Sequence, residues 1–164
     1  MSCAGTETNP DLTRPALWCI VGYGNPQRRD DGLGPHVVAG LGQALKGKER
    51  LHFLVRHQLE PELAEDLAEA GQVILVDATV NRLRGGWRRT RVRPRLGDSP
   101  QLTHSFRPEF LVGLMGLFKK RPPTTWLVSI QGDDFGFGEG LSPGAQERAR
   151  QVIADLAEFV SKED

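Results

Sequence analysis

Two adjacent carboxylates, Asp30 and Asp31, stand in the glycine-rich segment Gly22-Tyr-Gly-Asn-Pro-Gln-Arg-Arg-Asp-Asp-Gly-Leu-Gly. Gly32 and Gly34 give that backbone the freedom to turn sharply and aim a carboxylate inward at a cation. Asp77 directly follows the apolar run Val73-Ile-Leu-Val and is expected at the carboxyl end of a buried strand. An unpaired charge there is costly, so it should meet a cation, a metal or backbone donors. His104 lies in Gln101-Leu-Thr-His-Ser-Phe and brings an imidazole, which suits nickel, zinc, iron or copper. With two carboxylates it would make a facial triad that leaves coordination positions open for an exchangeable partner. Each residue also has an ordinary use. The aspartate pair could cap a turn and a helix, Asp77 could fix a loop, and His104 could be a hydrogen-bonding loop residue. The same holds for His36, His52 and His57, although His57 stands beside Gln58 and Glu60 at the end of another expected strand.

Several other chemistries lack their residues. A dinucleotide fingerprint built on Gly22 and Gly24 needs a third glycine where Gln27 stands, and the Lys-Ser/Thr pair of a phosphate loop is missing. Two carboxylates would also repel an approaching pyrophosphate, so no nucleotide cofactor is expected. The sequence holds no HExxH zinc helix, no GxSxG nucleophile turn and no cysteine in a polar, glycine-rich turn. Covalent catalysis therefore has no evident agent.

The elements that must position these groups are readable from hydrophobic pattern. The runs 16–21, 73–76 and 126–130 are apolar without alternation, as strands covered on both faces by helices should be, and 51–55 is a fourth candidate. Helical stretches are expected at 35–45, 61–70 and 143–160. Pro35, Pro61 and Pro143 would each open a helix, where proline's missing N–H costs nothing, leaving Gly34, Glu60 and Ser142 as caps. Residues 87–92 alternate weakly after a Gly-Gly turn and suit a hairpin or edge strand; 109–118 is short helix-forming material before Pro122-Pro123. The order is βαβαβ, which predicts one three-layer α/β sandwich, residues 16–164, around a mostly parallel or mixed sheet. Residues 1–15, small and polar with two prolines, read as a flexible leader.

A chain of 164 residues can bury roughly two-thirds of its unfolded surface around one core. Its 21 basic and 21 acidic side chains cancel, which argues against a nucleic-acid partner. The arginine cluster from Arg82 to Arg95 is broken by Gly85, Gly86, Trp87 and Val92 and reads as a solvated face. Two cysteines allow no disulfide framework and fit a reducing cytoplasmic setting. No run approaches the ~20 apolar residues of a membrane span, and no signal-peptide pattern opens the chain. A soluble, unexported protein without membrane contact is the expectation.

Three blocks together resemble the hydrogenase maturation endopeptidases. The first is an apolar strand running into Gly22-Tyr-Gly-Asn, with Asp30-Asp31-Gly-Leu-Gly after it. The second is Val73-Ile-Leu-Val-Asp-Ala-Thr, and the third is Thr103-His-Ser-Phe-Arg-Pro-Glu-Phe-Leu. The likeness spans about residues 17–159. It implies a phosphorylase/hydrolase-like α/β sandwich and places the family's metal-binding acid, acid and histidine on Asp31, Asp77 and His104. Some relatives carry Glu at the first of these positions; Asp31 keeps the ligand chemistry with a shorter reach. The implied reaction is removal of a C-terminal extension from a hydrogenase large-subunit precursor once nickel, supplied within the substrate, has been loaded. Asp31 or Asp77 would double as general base, or the metal would activate water or polarise the scissile carbonyl. Asn25, Gln58 and Glu60 are candidates for positioning substrate. The stretches 57–64 and 132–142 look most like the branch serving bidirectional NAD-linked hydrogenases.

Two rivals remain at this stage. Ile20-Val-Gly-Tyr-Gly-Asn-Pro resembles the opening of peptidyl-tRNA hydrolases, but that family's catalytic histidine block is replaced here by Arg29-Asp-Asp-Gly-Leu-Gly, and the basic excess a tRNA ligand favours is absent. A chaperone that binds nickel-loaded precursor without cutting it would use the same three ligands.

Overall fold

The computed structural model describes residues 16–96 and 106–163; the expected leader, residues 1–15, lies outside the described residues, as does His104. Strand β1 (Trp18–Tyr23) is followed by a 3-10 turn (Arg29–Gly32) and helix α1 (Leu33–Ala44). Then come β2 (Leu51–Arg56), α2 (Leu63–Ala68), β3 (Gln72–Thr79) and β4 (Trp87–Arg91). Helix α3 (Pro108–Phe118), β5 (Thr124–Gln131) and α4 (Pro143–Ser161) complete the order.

The strands form one sheet in the order β2-β1-β3-β5-β4, parallel except for β4, which runs antiparallel to β5 at the edge. The unbroken apolar runs are explained by cover on both faces. Trp18, Ile20, Ile74 and Val76 pack with α1 and α4, whereas Cys19, Val21, Val73 and Leu75 pack with α2 and α3. Alternate residues of one strand thus feed two cores, and the result is the expected three-layer α/β arrangement.

Local expectations differ in detail. Ser142 caps α4, accepting from the Ala145 amide at 3.4 Å, with Pro143 opening the helix as expected. Gly34 and Glu60 are not caps. The 3-10 turn carries the chain into α1 two residues earlier than its proline suggests, and Pro61 sits in a turn whose Glu60 carbonyl accepts from Leu63 ahead of α2. Residues 87–91 pair with β5 rather than with the preceding strand, so the arginine-rich segment makes an edge and not a hairpin with β3.

Candidate functional site

The carboxyl ends of β1, β2, β3 and β5 share one rim of the sheet, because these four strands are parallel. That rim is where open α/β sheets collect ligands. Asp77 lies inside β3, two residues before its end, since Ala78 and Thr79 continue to pair with Ile130 and Gln131. By strand parity its side chain emerges with Val73 and Leu75, on the α2/α3 face. Tyr23, the last residue of β1, follows Cys19 and Val21 onto the same face. The register that pairs Gly22 with Val76 sets Tyr23 beside Asp77.

Asp31 reaches this point because the turn after β1 folds back tightly onto the strand ends. A Cβ added at Gly34 would stand 2.5 Å from the Val76 carbonyl oxygen and 2.6 Å from that of Tyr23. A Cβ at Gly22 would strike the backbone of Gly34, and one at Gly24, whose φ is +141°, would strike the Asp31 carbonyl. Three glycines therefore let the start of α1 rest on the backbone of β1 and β3. The Asp31 carboxylate is then fixed by the Asn25 amide, which donates to Oδ2 at 2.7 Å.

The charge of Asp31 bears on Asp77. Burial first, and then the charge of Asp31, push the Asp77 carboxyl up to about 7, against the opposing pull of hydrogen bonds from the Tyr23 hydroxyl and the Ala78 amide. The Tyr23 phenol is itself raised, by burial, by Asp77 and by Glu109. It stays protonated and donates to Asp77. Glu109, in the first turn of α3, adds its charge to the field at Tyr23. Two acids in mutual repulsion, one titrating near neutrality, can share a cation or exchange a proton with water.

Of the sequence-predicted residues, Asp31 and Asp77 both lie at the carboxyl rim, and the charge of Asp31 acts on Asp77. Among the described residues no group of three His, Cys, Asp or Glu side chains is gathered as an ion site, and His104 lies outside them. The Asn25 side chain is occupied in its own turn, accepting from the Gln27 amide at 3.0 Å, so this residue acts on Asp31 through its backbone. Gln58 and Glu60 are exposed in the connection after β2, whose last residue, Arg56, pairs with Tyr23 and accepts from the Gly24 amide at 3.1 Å. Asp30 faces away from Asp77, into the loop after β5. Cys19 is buried and its thiol is raised to about 12, chiefly by burial, which leaves it no role as a thiolate. Tyr23 escaped the sequence reading; its parity with Cys19 and Val21 was the available signal.

The architecture and this rim can be compared with solved structures. The NiFe hydrogenase maturation protease HycI from Thermococcus kodakarensis superposes with a TM-score of 0.69 at 21% identity, over 89% of this chain and 93% of that one. The chain has the fold of hydrogenase maturation proteases. The hydrogenase 2 maturation peptidase of a Thaumarchaeota archaeon gives 0.64 at 16% identity, over 88% of this chain and 97% of that one. The hydrogenase maturating endopeptidase HybD of E. coli gives 0.61 at 19%, over 87% and 93%. At these identities the likeness is one of fold. No protein-family model and no curated protein matches the chain. No helix among the described residues is long and apolar enough to cross a membrane.

Proposed function

We propose that this protein is an endopeptidase that removes the C-terminal extension of a nickel-loaded hydrogenase large-subunit precursor. The observation that carries the reading is a fold shared with maturation proteases, with Asp31 and Asp77 both at the carboxyl rim of its sheet. Nickel belongs to the substrate. Asp31, Asp77 and His104 would complete the coordination of an ion already held by the precursor, so that only loaded precursor binds well. The donor chemistry is suitable: two partly exposed carboxylates that repel each other are relieved by a shared cation. His104 enters this reading through the resemblance of Thr103-His-Ser-Phe-Arg-Pro-Glu-Phe-Leu alone.

Asp31 or Asp77 doubles as general base, its carboxylate taking a proton from water and returning it to the leaving amine as the C–N bond breaks. The water oxygen becomes part of the new C-terminal carboxylate. The resemblance of residues 57–64 and 132–142 to the branch serving bidirectional NAD-linked hydrogenases makes that class of precursor the first to test.

The test follows the mass of the large subunit after incubation of nickel-loaded precursor with wild type, Asp31→Ala, Asp77→Ala or His104→Ala protein. Wild type should remove the extension, and each variant should leave it in place. Normal trimming by all three variants overturns the site. A stable wild-type complex with untrimmed precursor would instead favour a non-cleaving chaperone.

A further inference from the structure

Asp30 is a buried carboxylate outside the pair just described, with 0% exposure. All the donors that reach it come from one distant segment. Its Oδ2 accepts from the Asp133 amide at 2.7 Å, the Asp134 amide at 2.9 Å and the Ser142 hydroxyl at 2.7 Å; its Oδ1 accepts from the Ser142 amide at 2.7 Å. The main chain adds further ties. The Asp30 amide donates to the Asp134 carbonyl at 2.9 Å, the Arg29 amide to the Gly138 carbonyl at 3.0 Å, and the Gly138 amide to the Gln27 carbonyl at 2.8 Å. Arg29 is held between these bonds with a φ of +47°, a conformation uncommon for a side chain of its kind.

The next residue is held in the other direction. Asp31 donates its amide to the Arg28 carbonyl at 3.1 Å, and its carboxylate accepts from the Asn25 amide at 2.7 Å. The 3-10 turn is therefore fixed from both sides, by Asp30 to the loop after β5 and by Asp31 to the turn after β1. Release of the first tie would let the turn rotate and carry Asp31 away from Asp77.

We infer that Asp30 is the positioning residue of this site: by tying the turn at residues 29–32 to residues 133–142 it sets where the Asp31 carboxylate stands. The role demands a carboxylate of this length. Four donors converge on it, and an amide would turn an NH2 group toward N–H or O–H donors. A glutamate would push its carboxylate one methylene further into donors that already stand at 2.7 to 2.9 Å. Ser142 carries the tie onward, since the hydroxyl that donates to Asp30 also accepts from Ala145 and caps α4.

The inference deepens the proposed peptidase reading for its kinetic arm, but its structural arm does not need it. Amide hydrogen exchange of Asp30→Asn protein should be at least tenfold faster at Asn25, whose N–H reports the seat of Asp31, with Ile20 and Ile74 in the core strands unchanged. Precursor trimming should lose at least tenfold in kcat/KM, with KM raised, because in that reading Asp31 is a ligand of the substrate's nickel. Should Asp30→Asn fail to fold, Ser142→Ala removes one of the four bonds and should show the same selective change at Asn25, at a few-fold. Unchanged exchange at Asn25, or equal acceleration at Asn25, Ile20 and Ile74, overturns the positioning role. If wild type itself trims nothing, the peptidase reading falls, and the exchange pattern still decides what Asp30 does.

Discussion

The turn at residues 22–34 and the edge segment at residues 82–95 are both rich in glycine and charge, yet they are built on opposite principles. In the turn, glycines are there for space: the backbone of α1 lies against the ends of β1 and β3, and a Cβ at Gly34 would press on two carbonyl oxygens. In the edge segment, Gly85 has a φ of +77° and nothing within 4 Å of an added Cβ, so its glycine is there for conformation alone. The charges differ likewise. Asp30 is sealed inside and Asp31 is hydrogen-bonded, whereas Arg82, Arg84, Arg88 and Arg91 are exposed. A region without spare room can hold a carboxylate to a fixed place, which is what a site needs; a region with room cannot.

The largest expected effect comes from filling the crowded turn. Gly34→Ala puts a methyl group 2.5 Å from the Val76 carbonyl oxygen and 2.6 Å from that of Tyr23, both backbone atoms of central strands that cannot step aside. The helix must lift off the sheet. A loss of about 3 kcal/mol or more is expected, at the upper end for overpacking, measured by urea unfolding. Stability within about 0.5 kcal/mol of wild type would show that the turn has slack and would erase the contrast.

How much of this was legible depends on how local each constraint is. The strands could be read because both faces of β1, β3 and β5 are covered, so Ile20-Val and Val73-Ile-Leu-Val are apolar without alternation. That Asp31 and Asp77 share the carboxyl rim is legible because each stands near a strand's end. Ser142 caps α4 as its local sequence indicates, but Gly34 and Glu60 are not caps, for physical reasons: a 3-10 turn feeds α1 and makes Pro35 an interior residue of the first turn, and Pro61 belongs to a separate turn before α2. Asp77 was expected just beyond its strand, but Ala78 and Thr79 extend it through pairing with β5, which local composition does not reveal. The partners of Asp30 lie more than 100 residues away, so no local pattern separates it from Asp31.

A second, smaller effect sharpens the comparison through pH. The Asp77 carboxyl is raised to about 7 by burial and by Asp31, so the folded state binds its proton more tightly than the unfolded chain. Its contribution to stability is complete below the ordinary carboxylate range and is lost as pH rises through 7, at up to about 1.4 kcal/mol per pH unit between. Asp77→Asn keeps the shape and removes the charge. Measured with chelator present, the variant should gain on wild type between pH 5 and pH 8. A constant difference would mean that neither burial nor Asp31 raises the Asp77 carboxyl.

The smallest effect belongs to the open edge. Gly85→Ala meets no atom, so its whole cost is the left-handed backbone, about 1 kcal/mol for a residue with a Cβ. Gly85→Asn should cost less, because its short polar side chain tolerates that conformation. Thermal unfolding ranks the two directly, and neither substitution should alter hydrogen exchange at Asn25. A Gly85→Ala loss as large as that of Gly34→Ala would mean that the edge segment is also limited by space, and crowding would no longer mark out the turn that holds the two aspartates.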